Sequence, residues 1–155
     1  VVQQTGGEFE EKFAARRLDL VTHIPDGRLI IQADGRRLWR ILENLYNNAC
    51  KYAMEGSRVY VDLKEEDGMA VFTIKNVSES PLNIDASELT ERFVRGDVAR
   101  TTEGSGLGLS IAKNLTLLQK GTFDIIIDGD LFKALVAFPV KKPEDPQEKQ
   151  PDIPE

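Results

Sequence analysis

Between Asp34 and Glu55 the apolar residues Leu38, Ile41, Leu42, Leu45, Ala49 and Ala53 recur every three or four positions. That spacing places them along one side of a helix, and a helix with one apolar side must bury it against another layer. Asp34 stands where an N-cap belongs, and Gly56 where a helix stops. What flanks this helix therefore decides the fold class.

Most of what flanks it is strand-like. Arg16 to Ile24 and Leu29 to Ala33 read as two short strands around the turn signal Pro25-Asp26-Gly27, a hairpin-like pair. Ser57 to Glu65 and Ala70 to Lys75 alternate apolar and polar residues on either side of Asp67-Gly68, and Thr122 to Ile127 and Leu131 to Val140 flank Asp128-Gly129-Asp130. Helical signals return at Ala86 to Phe93 and at Leu107 to Gln119, with the polar stretch Arg95 to Gly106 between them reading as a mobile loop. Hairpin connections with interspersed helices predict an α/β fold: a two-layer sandwich with a mixed sheet of about five strands packed against three helices, not a doubly wound parallel sheet. Residues 1–8 are expected to be linker, 9–140 the domain, and 141–155 a disordered tail holding four of the seven prolines and many charges.

Charge and composition exclude several function classes. A net charge of −6 and a pI near 5.0 argue against a domain held on nucleic acid by broad electrostatics. Cys50 is the only cysteine, and no Cys/His cluster has zinc spacing, so neither an internal disulfide nor a zinc site organises the chain. No apolar run approaches the roughly 20 residues of a membrane-spanning helix, and no secretory leader is visible, which sets the expectation of a cytoplasmic domain without direct membrane contact.

The long helix carries a second pattern. Asn44, Asn48 and Lys51 stand at i, i+4 and i+7, one face beside the apolar stripe. Asparagine is a poor helix former because its amide competes for the backbone, so Asn44, Asn47 and Asn48 weaken the helix without improving its core. An amide oxygen is a hard donor suited to Mg²⁺, a lysine one turn away can neutralise phosphate, and Tyr52 adds a flat surface for a base or ribose. The same residues also fit a polar helix flank with a solvated lysine.

Glu103-Gly104-Ser105-Gly106-Leu107-Gly108-Leu109 puts three alternate glycines at the start of the last helix, where backbone N–H groups can bind phosphate oxygens. The spacing is not the dinucleotide fingerprint, and the Gly-Lys-Ser/Thr of a P-loop is absent. Arg92, Arg95 and Arg100 with Thr101 and Thr102 suit a lid closing on phosphates, or an ordinary solvated loop.

Taken in order, these segments resemble the histidine-kinase members of the GHKL superfamily. Leu38 to Tyr52 looks like the N-box, Glu91-Arg92-Phe93-Val94-Arg95 like the F-box, and Gly104 to Leu109 like the G2-box, a match covering about Phe9 to Pro139. The resemblance implies a protein-histidine kinase catalytic domain using ATP and Mg²⁺. In it Asn48 would be the metal ligand, Asn44 a second polar group near metal and phosphates, Lys51 a phosphate contact and Tyr52 a wall of the nucleotide site. The loop Gly104, Ser105, Gly106 and the backbone of Leu107, Gly108 and Leu109 would close on the triphosphate, with Arg95 a candidate for the γ-phosphate, and Thr101 and Thr102 join the nucleotide site as part of the lid read above. Relatives that hydrolyse ATP carry a glutamate one turn before the metal-binding asparagine. Here that position is Asn44, and an amide cannot take a proton at neutral pH, which favours transfer to a protein acceptor over hydrolysis. Glu43, one residue away, points about 100° off around the helix.

One box departs from the family. Asn76-Val77-Ser78-Glu79-Ser80 stands where Asp-x-Gly-x-Gly commonly holds the adenine amino group; the Asn76 amide oxygen can still accept from an exocyclic amine, but the glycines are missing. The phosphoacceptor is absent too. His23, the only histidine, sits in a strand running into a turn, so the resemblance implies a separate dimerisation and phosphoacceptor domain as partner, and a response regulator receiver domain downstream. Two other readings stay open: a nucleotide-weak docking module, and a serine-phosphorylating kinase of the anti-sigma-factor type.

Overall fold

The computed structural model describes residues 1–27, 29–80 and 107–141. Its elements are α1 (Val2–Ala15), β1 (Asp19–His23), α2 (Gly35–Tyr52), β2 (Arg58–Glu66), β3 (Met69–Val77), α3 (Leu107–Leu118), β4 (Thr122–Asp128) and β5 (Leu131–Pro139). The strands form one sheet in the order β1-β2-β3-β5-β4, with β1 parallel to β2 and the other pairs antiparallel. The mixed five-stranded sheet and the three described helices agree with the expected sandwich.

Both hairpins form where the turn residues foretold. Asp67 and Gly68 take positive φ, as does Gly129, the backbone that lets a tight turn follow the twist of its strands. The alternation then sorts the faces. Across the sheet, Leu63, Phe72, Val136 and Phe123 lie in one register row, and Val61, Ile74, Ala134 and Ile125 in the next. These rows meet the helices. At the centre Tyr46 of α2 is wholly buried, its ring stacked on Phe9 at 5.6 Å and near Phe13 and Phe72.

Three expectations need correction. Residues 1–8 are not linker: from Val2 they are helical, because Thr5, Phe9 and Phe13 share one face and bury it in the core. The strands around Pro25 do not pair with each other. β1 instead runs parallel to β2, which the crossover through α2 permits, and Ile31 makes only an isolated bridge to Val140. The long helix ends at Tyr52 and not near Glu55, since Met54 N–H donates to the Val77 carbonyl and Ala53 bridges Ser78, drawing the chain out of the helix onto β3. The helix expected at Ala86 to Phe93, the loop after it and the tail beyond residue 141 lie outside the described residues.

Candidate nucleotide site

The site grows from α2. The Asp34 carboxylate accepts from the backbone N–H groups of Arg36 and Arg37 at 2.9 and 3.1 Å, capping the helix as its sequence position foretold. Those bonds, that to Arg37 foremost, hold its carboxyl below the usual range. At the other end the Arg16 guanidinium donates to the carbonyls of Cys50 and Lys51 at 2.6 and 2.8 Å and pairs with Glu79 at 2.9 Å. Arg16 thereby caps carbonyls of the last helical turn while tying the end of α1 to the segment after β3. Glu79 N–H donates to the Tyr52 carbonyl at 2.9 Å, closing the same junction.

Between these anchors Asn44 and Asn48 are half-buried and Lys51 is exposed. Gly108, at the start of α3, packs directly on Asn44: a Cβ there would lie 3.4 Å from Asn44 Oδ1 and 3.6 Å from its Cβ and carbonyl oxygen. The middle of the asparagine helix and the last glycine of the triplet are therefore neighbours in space. Leu109 is 1% exposed and its side chain belongs to the core, which leaves only its backbone for a ligand. Asn76 lies on the inner face of β3 near the junction that holds the end of α2. Arg95, Thr101, Thr102, Gly104, Ser105 and Gly106 lie outside the described residues.

Two side-chain amide nitrogens in this region have no hydrogen-bond partner. Asn44 Nδ2 and Asn76 Nδ2 are both buried without an acceptor. An orphaned buried donor is unfavourable, and it suits a guest rich in acceptors, as a nucleotide is. Among the described residues no group of three His, Cys, Asp or Glu side chains could hold a metal. A Mg²⁺ at this site would rely on amide oxygen, phosphate and water, a donor set that matches the ion's preference for oxygen and retained water. A cavity of about 630 Å³ between α1 and β1, lined by residues such as Gly6, Phe13, Leu20 and Ile24, contains none of these residues.

A family profile described as histidine kinase-, DNA gyrase B- and HSP90-like ATPase matches residues 33–149. The chain belongs to this ATPase family. The sensor histidine kinase RppB of a Synechocystis species is 31% identical over 120 residues, covering 76% of this chain and 26% of RppB. Among solved structures, the catalytic domain of the histidine kinase ThkA superposes with a TM-score of 0.74 at 22% identity, covering 89% of each chain. Full-length ShkA in complex with AMPPNP gives 0.75 at 22% identity, covering 93% of this chain and 30% of ShkA. The fold of this ATPase-family domain is thus that of histidine-kinase catalytic domains, and the chain spans about a quarter of the length of RppB. Among the described residues no helix is long and apolar enough to cross a membrane.

Asn44 and Gly108 each belong to a pattern visible in the sequence, but their contact emerges only in the fold. The Arg16 clasp is likewise hidden: its partners lie 34, 35 and 63 residues away, and no local spacing announces them. His23 ends β1, with Nδ1 3.1 Å from Asp62 Oδ1, on a strand and not a helix.

Proposed function

We propose that this domain is the catalytic part of a sensor histidine kinase, binding ATP with Mg²⁺ and donating the γ-phosphoryl group to a histidine on a separate dimerisation domain. A response regulator receiver domain is the onward acceptor, and the cytoplasm the compartment. The observation that carries the reading is Asn44, whose buried Nδ2 has no acceptor and whose side chain lies against Gly108 in the first turn of α3.

In this reading Asn48 would hold Mg²⁺, with Asn44 beside it, Lys51 on the phosphates, Tyr52 along the nucleotide and Asn76 at the base. When bound there, Mg²⁺ would neutralise phosphate charge. The N–H groups at the start of α3, at Leu107, Gly108 and Leu109, offer donors to the triphosphate. The expected contacts of Thr101, Thr102, Gly104, Ser105, Gly106 and Arg95 with phosphate rest on the sequence pattern.

The amide at position 44 also selects the acceptor. Water and serine must lose a proton as they attack, and Asn44 cannot take it. A neutral imidazole attacks through a nitrogen lone pair and asks for no base at that position. Histidine therefore fits where serine and water do not.

The test is phosphoryl transfer from γ-labelled ATP in the intact parent kinase. The expected product is an acid-labile, base-stable phosphohistidine, abolished by Asn48→Ala. An acid-stable phosphoserine would assign the serine-kinase alternative, and absence of any transfer would support the docking module.

A further inference from the structure

One register row of the sheet carries a buried polar side chain on its inner face. Leu20, Val59, Asn76, Phe132 and Ile127 are aligned across the five strands, and Asn76 is the single polar member. It is 3% exposed, and its Nδ2 has no acceptor. The next residue, Val77, accepts from Met54 N–H, and Glu79 donates to Tyr52, so this strand end is fastened to the end of α2 that carries Lys51 and Tyr52. A buried amide with an unused donor at such a junction serves no packing purpose that an aliphatic side chain would not serve better.

We infer that Asn76 reads the six-position edge of a purine as a neutral amide, so that the site takes 6-oxopurine triphosphates as well as ATP. The inference rests on the nucleotide site proposed above and deepens it. Adenine presents an N6 amino donor beside the N1 acceptor, whereas a 6-oxopurine presents the O6 acceptor beside an N1–H donor. A carboxylate offers only acceptors: it suits the amino group and opposes O6. An amide carries one acceptor and one donor on the same fork, and a half-turn about its Cβ–Cγ bond exchanges them. Either purine edge can then be met in full, and the orphaned Nδ2 hydrogen finds N1 in one case and O6 in the other. Because the amide does not ionise, this recognition needs no charge in the apolar row.

Calorimetric titration of the domain with Mg-ATP, Mg-GTP and Mg-ITP tests the inference, with Asn76→Asp alongside and thermal unfolding to confirm that the variant folds. For the natural chain GTP and ITP should bind within about tenfold of ATP, and Asn76→Asp should widen the gap by at least about tenfold, since a carboxylate facing O6 leaves both groups unpaired. ATP binding with GTP and ITP weaker by more than that, or an unchanged ratio in the folded variant, overturns the inference while leaving the nucleotide site standing. Failure of all three to bind at millimolar concentration overturns the nucleotide site and the inference together. If Asn76→Asp does not fold, the ratios of the natural chain decide alone.

Discussion

Replacing Asn44 by leucine should make the domain more stable and unable to bind nucleotide. The two side chains branch alike at Cγ, so leucine can occupy the space of the amide, and Gly108 opposite has no Cβ to obstruct it. Removing the buried, unpartnered Nδ2 donor relieves a desolvation penalty of about 1–3 kcal/mol, and exchanging asparagine for leucine inside α2 adds a few tenths of a kcal/mol in helix propensity. Imperfect packing of the new methyl groups takes some of this back. A net gain of about 1–2 kcal/mol is expected, or roughly 4 °C in Tm per kcal/mol for a domain of this size. Urea unfolding followed by circular dichroism measures the gain, with an unchanged m value to show that the surface exposed on unfolding is the same. Calorimetry with Mg-ATP measures the loss. A destabilisation above about 1 kcal/mol would mean that the Asn44 amide is already satisfied in the free domain. Retained nucleotide affinity would mean that this face of α2 does not line the site.

Other perturbations follow from the same structure. Tyr46→Phe removes a wholly buried hydroxyl without a partner, whose ionisation burial pushes far above its ordinary range, and keeps the ring stack on Phe9; urea unfolding should show a gain of about 1 kcal/mol, and an equal loss would contradict the assignment. Arg16→Ala should destabilise the domain by about 1–2 kcal/mol by uncapping Cys50 and Lys51, with Arg16→Lys restoring only part, because one ammonium cannot span two carbonyls and Glu79; equal stability of the three proteins would refute the clasp. The Asp34 carboxyl is held below its ordinary value of 3.8 by its helix-cap bonds, so its contribution is present above that value and lost as pH falls through the lower folded value. The stability difference between the natural chain and Asp34→Ala should accordingly be full at pH 6 and shrink below about pH 4, and a difference that grows on acidification would reverse the sign of the argument.

Elements whose signals are local were legible in the sequence. α2 declared itself through its apolar period and Asp34, and the two hairpins through Asp67-Gly68 and Gly129, because caps and turns are decided by residues a few positions apart. α1 was hidden. Gly6 and Gly7 lower its helix propensity, Val1 offers no side-chain cap, and its stability comes from Phe9 and Phe13 packing on Tyr46. The parallel pairing of β1 with β2 and the early end of α2 likewise depend on partners remote in the chain. Within the site, Asn44, Asn48 and Lys51 shared a face that spacing alone could place, and Gly108 belonged to a visible glycine triplet. That Gly108 touches Asn44, and that Asn76 interrupts an apolar row across five strands, required the fold.

Calorimetric titration with Mg²⁺ and a nonhydrolysable ATP analogue is the decisive measurement for the nucleotide site. Saturable one-site binding that depends on Mg²⁺ and disappears in Asn48→Ala is the expected result. Binding that is indifferent to Mg²⁺ and to Asn48, or no binding at millimolar nucleotide, would refute the site.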